Sequence, residues 1–176
     1  GLSPEGTTGA LAAAGISPDQ VDIVVLTHMH GDHIGGLMTN GSPTFANARY
    51  VTGAVEHNHW SAAGNEGFDK SVKPVNDKLS FLDDGGSVAS GITAKMAAGH
   101  TPGHMVYMLE SDGKMLAIKD AGKGVENFGR EAGVAAQSTV DGAKDAAGAV
   151  ARAVEDLDVD AIVCGSRGHG KFSRAL

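Results

Sequence analysis

The chain has 176 residues and a net charge of −7, with 41% hydrophobic and 5% aromatic residues. This length suits one ordinary domain, or two incomplete ones, built around a core of small side chains. The acidic balance argues against a nucleic-acid-binding surface, and no apolar stretch approaches the length of a membrane span. The single cysteine, Cys164, cannot form an internal disulfide, so we predict a cytoplasmic protein.

The first elements that the sequence predicts are a short helix over residues 7–15 and a strand over residues 21–27, VDIVVLT. The strand is a run of apolar, β-branched residues, which is typical of a strand buried on both faces. Further along, the polar residues 61–78 predict a long loop or a short helix. Turn sequences at 83–86 (DDGG) and 111–114 (SDGK) predict two β-hairpins.

A dense group of polar side chains follows the strand, in THMHGDHIGG at residues 27–36. Within six positions it holds His28, His30, Asp32 and His33. Side chains two apart on extended backbone point the same way, and a tight turn then brings Asp32 and His33 back toward the first two. Imidazole and carboxylate groups are the usual ligands of zinc and related divalent metals. We therefore predict a metal site where the strand ends.

This group resembles the His-x-His-x-Asp-His signature of the metallo-β-lactamase superfamily. Downstream segments, among them GHTPGH at residues 99–104, resemble in order the branch that contains methyl parathion hydrolases and quorum-quenching lactonases. The resemblance implies an αββα fold and a hydrolase that uses two zinc ions, with manganese or iron as alternatives. It also implies cleavage of a lactone, ester or phosphotriester bond in a small-molecule substrate by metal-activated hydroxide.

For the first metal, the resemblance implies three histidine ligands: His28, His30 and His100. His104, in the same GHTPGH segment, is predicted to be structural or to support a ligand rather than to bind the metal. The two histidines of EHNHW, residues 56–60, match no ligand position and are predicted to be surface residues on a helix.

For the second metal, the resemblance implies Asp32 and His33 as ligands, with Asp120 as the carboxylate shared between the two metals. Asp32 is also the catalytic candidate, because its carboxylate can orient the nucleophile or protonate a leaving group. Lys119 is an unexpected neighbour for a ligand, so an exposed aspartate after a strand stays open as the other interpretation of Asp120.

From about residue 119 the character of the chain changes. VAAQSTV (134–140) predicts a strand, residues 141–158 have apolar positions at helical spacing, and DAIVCGS (160–166) predicts a buried parallel strand. A glycine-rich turn then completes a βαβ unit, which resembles the C-terminal half of a universal stress protein. The residues implied for ATP binding in that turn are Gly165, Ser166, Arg167, Gly168, His169 and Gly170.

The predicted fold class is α/β and combines the two resemblances. Residues 1–118 form a truncated αββα segment of metallo-β-lactamase type, joined to a Rossmann-like βαβ unit of universal stress protein type at residues 119–176. An alternative keeps a single fold, in which His169 follows the last apolar strand and supplies a ligand of the second metal. The predicted function is a metal-dependent hydrolase. The alternative is an ATP-binding module, or a non-catalytic fusion with a vestigial metal site, and a homodimer stays open as the assembly.

Overall fold

The computed structural model describes residues 8–9, 11–12, 15–111, 114–118 and 162–164. The helices that follow residue 15 in this part of the chain are α1 (Gly31–Ile34), α2 (Ala54–Ala62) and α3 (Glu66–Ser71). Two 3₁₀ segments lie at Pro18–Gln20 and Lys73–Lys78. Because α3 and the second 3₁₀ segment fall within residues 61–78, the short-helix alternative for that stretch is confirmed.

The strands of the described residues are, in chain order, β1 (Ile23–Val25), β2 (Met38–Thr39), β3 (Ser42–Pro43), β4 (Arg49–Gly53), β5 (Leu79–Leu82), β6 (Ser87–Ala89), β7 (Ile92–Met96), β8 (Met105–Ser111), β9 (Lys114–Ile118) and β10 (Ile162–Cys164). A first sheet has the order β10–β1–β4–β5 and is parallel throughout. A second sheet has the order β6–β7–β8–β9 and is antiparallel. β2 and β3 form a separate small hairpin.

Alternate side chains of β1 pack into two different layers. Ile23 and Val25 pack with residues of the second sheet, such as Tyr107 on β8, so the two sheets face each other. Val24 packs on the opposite side with buried residues of α1 and α3, so helices cover the outer face of the first sheet. The Tyr107 hydroxyl donates to the Leu26 carbonyl at 3.0 Å and ties the sheets together. The result is a mixed α/β fold in which the first sheet, with β1 in it, lies between the helices and the second sheet.

Only one of the two predicted hairpins is present. The SDGK segment lies between β8 and β9, which pair antiparallel. The hairpin predicted at DDGG, residues 83–86, is wrong, because β5 pairs with β4 in the first sheet whereas β6 pairs with β7 in the second. The turn therefore carries the chain from one sheet to the other. Gly85 takes a φ of 82° there, a left-handed conformation that suits glycine.

The C-terminal part of the chain is described only at β10. The strand predicted at residues 160–166 is present as Ile162–Cys164. It pairs in parallel with β1, and Cys164 lies opposite Val25. This strand thus belongs to the same sheet as the strand that precedes the histidine signature.

The remaining predictions for the C-terminal part lie outside the described residues. They concern Asp120, His169, the strand and helix predicted before β10, and the glycine-rich residues 165–170. Among the helices that the structure describes, none is both long and apolar enough to cross a membrane.

Candidate metal centre

The first two histidines lie at the carboxyl end of the parallel sheet, where sites of α/β folds occur. The chain leaves β1 at Val25, and His28 follows, completely buried. His30 is half-buried and directly precedes α1. Because α1 is a single helical turn, it brings the ring of His33 back to 3.9 Å from that of His28, measured between centroids. The tight turn predicted after the strand is confirmed.

The third histidine comes from the second sheet. His100 lies in the loop between β7 and β8. The backbone N–H of Met105, the first residue of β8, donates to the carbonyl of Thr27 at 2.8 Å. Since Thr27 precedes His28, this bond holds the two histidine-bearing segments side by side.

Three imidazole nitrogens converge at this place. His100 Nε2 lies 3.0 Å from His28 Nε2 and 3.1 Å from His30 Nδ1. The ligand atoms of the three residues all lie within 4.8 Å of one another. A tetrahedral zinc ion bonded to imidazoles at about 2.0–2.1 Å requires N···N separations of about 3.3 Å. The donor set fits a zinc ion, and the two distances that involve His100 lie close to this separation.

Burial sets the protonation state of His28. Removal from water, followed by the positive charges of neighbouring histidines, lowers the pKa of His28 from 6.5 to about 2. Its imidazole is therefore neutral, which is the form that binds a metal. The Thr27 hydroxyl lies 3.1 Å from His28 Nδ1, while Nε2 faces His100. A contact of this kind at the second ring nitrogen fixes the orientation of a ligand histidine.

The residues predicted for a second metal lie beside the three converging nitrogens. His33 is buried, and the side chain of Asp32 is 24% exposed. His33 Nε2 and Asp32 Oδ2 are 3.8 Å apart. The site thus places a histidine and a partly exposed carboxylate next to the triad, and their roles as metal ligands stay predictions.

The same residues can be placed in a family by comparison with known proteins. A family model described as the Metallo-beta-lactamase superfamily matches residues 1–165. The chain belongs to the metallo-β-lactamase superfamily. The first of the two resemblances noted in the sequence is confirmed at this level.

Several relatives of this chain are lactonases. An N-acyl homoserine lactonase from a Bacillus species is 28% identical over 123 residues, which cover 69% of this chain and 46% of the relative. The N-acyl homoserine lactonase AttM of Azorhizobium caulinodans is 29% identical over 145 residues, covering 73% and 51%. The solved structure of AidC, a dizinc quorum-quenching lactonase with a bound product, matches with a TM-score of 0.55 and 26% identity. That match covers 64% of this chain and 45% of AidC.

The chain spans about half the length of the curated relatives it matches. The metallo-β-lactamase-like fold is shown for about the first 110 residues.

His104 lies next to the histidine triad of this site. It is completely buried, and its ring centroid is 5.3 Å from that of His28. Its Nδ1 lies 3.2 Å from the carbonyl oxygen of Ala97, to which it can donate. These contacts suit the structural role predicted for His104.

The two histidines of EHNHW lie on α2, as predicted. His59 is exposed. His57 is half-buried, because its Nε2 lies 2.8 Å from Asn76 Oδ1 and its ring packs against Phe81 with 4.6 Å between centroids. A surface position for His57 was therefore only partly right, since the second 3₁₀ segment and β5 cover one side of it.

Sequence reasoning missed one buried charged residue of the site, Glu56. It is completely buried in the first turn of α2 and accepts hydrogen bonds from both histidine-bearing loops. Within a polar segment a glutamate is expected to be exposed, because this residue type is seldom buried. The one usable signal was its spacing from Trp60, which lies one helical turn further on and can contact it.

Proposed function

We propose that this chain provides the metal-binding part of a zinc-dependent hydrolase that opens lactone rings, with esters and phosphotriesters as related substrates. The observation that carries this proposal is the convergence of His28 and His30 nitrogens on His100 Nε2, at 3.0 and 3.1 Å. The lactonase relatives support a small cyclic ester as the substrate.

The chemistry divides between the metal and the chain. When bound, zinc would supply Lewis-acid chemistry and lower the pKa of water at the site. His28, His30 and His100 would hold the ion. Asp32 is the residue we assign to proton handling, because its carboxylate is 24% exposed and lies 3.8 Å from Nε2 of His33, whose ring packs against that of His28. It would orient the attacking water, accept a proton from it, and pass that proton to the leaving oxygen.

We further propose a second zinc ion held by Asp32 and His33, with Asp120 shared between the two ions. A second ion would supply further Lewis-acid chemistry at the reacting centre. Support comes from the ring of His33, 3.9 Å from that of His28, and from AidC, which is a dizinc lactonase. Manganese or iron would suit the same ligands.

The function is tested by loading metal-free protein with zinc and offering it an N-acyl homoserine lactone, an aryl ester and a phosphotriester. We expect zinc-dependent ring opening, measured as acid release, with the lactone hydrolysed fastest. Protein kept in chelator is the control and should be inactive. A protein that binds zinc at the triad but hydrolyses none of the three substrates would contradict the proposed activity.

His169 is our proposed further ligand of the second metal. Because β10 runs parallel to β1, with Cys164 opposite Val25, the chain leaves both strands at the same end of the sheet. His169 follows Cys164 by only five residues. We expect His169→Ala to lose about one equivalent of zinc and most of the hydrolysis rate, since a two-metal site fails when one ion is lost. Elemental analysis of the purified variant measures the loss.

The competing proposal for the same segment is ATP binding by the glycine-rich turn of the universal-stress-protein-like residues 119–176. Successive backbone N–H groups of a glycine-rich turn can bind phosphate, here at residues 165–170. Lys171→Ala separates the two proposals. If His169 is a ligand, Lys171→Ala keeps both zinc ions; if the turn binds ATP, both variants keep their zinc and weaken ATP binding in a calorimetric titration. A His169→Ala protein with the parent's zinc content contradicts the ligand role.

A further inference from the structure

The three triad histidines are carried by two separate loops. His28 and His30 lie in the loop that follows β1, and His100 lies in the loop between β7 and β8. The loops come from different sheets, so the sheets' own hydrogen bonds do not set the distance between the ligand nitrogens. The backbone bond from Met105 to Thr27 holds the two segments side by side, and contacts nearer the histidines can adjust the loops further.

Glu56 makes that contact with the first loop through one carboxylate oxygen. The backbone N–H of Met29, between the two histidines, donates to Glu56 Oε1 at 3.0 Å. The indole N–H of Trp60 donates to the same oxygen at 2.6 Å. The ring of Trp60 in turn packs edge-on against that of His30, with 5.3 Å between centroids. Glu56 therefore acts on the first loop both through its backbone and through the indole beside His30.

The other carboxylate oxygen of Glu56 binds the second loop. The hydroxyl of Thr101, the residue after His100, donates to Oε2 at 2.6 Å. The backbone N–H of Gly103 donates to the same oxygen at 3.0 Å. Both partners lie within three residues of His100. One side chain thus joins the loop of His28 and His30 to the loop of His100.

The burial of Glu56 is explained by these four bonds. Of the nine residues of α2, only Glu56 is buried. A carboxylate removed from water is costly unless hydrogen-bond donors surround it, and here each oxygen accepts from two. An apolar side chain would serve equally well to pack this helix, but it would satisfy none of the donors that the two loops present.

We propose that Glu56 is a positioning residue that sets the separation of the triad nitrogens and thereby the affinity of the site for zinc. This rests on the zinc-binding part of the proposed function. Replacing a group that orients a metal ligand typically lowers the metal affinity by about 10- to 100-fold. Most such groups hydrogen-bond to a single ligand residue. Glu56 instead binds both of the loops that carry the triad histidines.

Glu56→Gln is the first test. An amide has one acceptor oxygen, and its NH₂ group only donates. If the amide oxygen takes the place of Oε1, the NH₂ group faces the N–H of Gly103; in the reverse orientation it faces the N–H of Met29. One backbone donor loses its acceptor in either case. We expect the zinc dissociation constant, measured by competition with a chromophoric chelator, to rise by about 10- to 100-fold.

Glu66→Gln is the matched control. It makes the same chemical change on α3, where the side chain is 80% exposed. We expect this variant to bind zinc as the parent does. The cobalt(II)-substituted proteins give a second measurement, because the visible absorption of cobalt reports the coordination geometry. A changed cobalt spectrum is expected for Glu56→Gln and an unchanged one for Glu66→Gln.

Thr101→Val and Trp60→Phe test the proposal if Glu56→Gln does not fold. Thr101→Val keeps the shape of the side chain, and Trp60→Phe keeps an aromatic ring of smaller size; each removes one donor to Glu56. We expect each to weaken zinc binding by about three- to tenfold, which corresponds to the loss of one hydrogen bond. Thr101→Val also leaves Trp60, the single tryptophan of the chain, as a fluorescent reporter beside His30.

The outcomes are distinct. If folded Glu56, Thr101 and Trp60 variants bind zinc as tightly as the parent and lose only thermal stability, Glu56 is purely structural and the proposal is wrong. If the parent protein itself binds no zinc, both this inference and the proposed function are wrong. Weaker zinc binding in the three variants, with Glu66→Gln unaffected, supports the positioning role.

Discussion

His28→Ala is expected to remove about one equivalent of zinc per chain and to abolish zinc-dependent hydrolysis. His28 supplies one of three converging nitrogens, and its Nε2 lies 3.0 Å from that of His100. A catalytic zinc site has three protein ligands, so the loss of one leaves too few donors to hold the ion. The pKa of His28, lowered to about 2 by burial and neighbouring histidines, means that the parent has no proton to displace at this ligand. Elemental analysis after dialysis measures the zinc content.

His59→Ala is the matched control, because His59 is an exposed histidine on α2. It should retain both the zinc content and the rate of the parent. His28 is completely buried, and its replacement also leaves a cavity. His100→Ala, at a half-buried position, gives the same ligand loss with less change to the core. Unchanged zinc content in both His28→Ala and His100→Ala would disprove the triad as a metal site.

The sequence predicts the first loop of this site well because its signals are local. The run of β-branched residues before His28 predicts a buried strand, and β1 is indeed buried along its whole length. The spacing of the polar residues predicts that the turn folds back, and α1 does bring His33 to His28. The addition of His100 depended on a family resemblance, since nothing local indicates that residues 72 positions apart meet.

Long-range contacts account for what the sequence did not predict. The turn at residues 83–86 has the composition of a hairpin, but turn residues do not reveal whether the flanking strands pair with each other. Here β5 pairs with β4 in the first sheet, and β6 pairs with β7 in the second. Glu56 is a second case, because its partners Met29 and Thr101 lie 27 and 45 residues away. Burial of its carboxylate follows only when both loops are in place.

Gly103→Ala is expected to destabilise the protein and to weaken zinc binding together. Gly103 follows His100 by three residues and packs directly against the start of α2. A Cβ at this position would overlap the backbone nitrogen of Glu56 and lie 2.6 Å from its Cα and 2.7 Å from the carbonyl carbon of Val55. These neighbours are backbone atoms that cannot rotate away. Either the loop of His100 or the first turn of α2 must therefore move.

The expected cost is about 3 kcal/mol in the free energy of unfolding, at the upper end for an overpacked site. The same displacement moves the N–H of Gly103 away from Glu56 and shifts the loop that carries His100. We therefore expect the zinc affinity to fall as well. Urea unfolding of the metal-free protein and chelator competition measure the two effects. Gly31→Ala is the control, because it lies between His30 and Asp32 yet a Cβ there meets nothing within 4 Å. If Gly103→Ala has the same free energy of unfolding and the same zinc affinity as Gly31→Ala, the close approach of the loop to α2 does not set the geometry of the histidines.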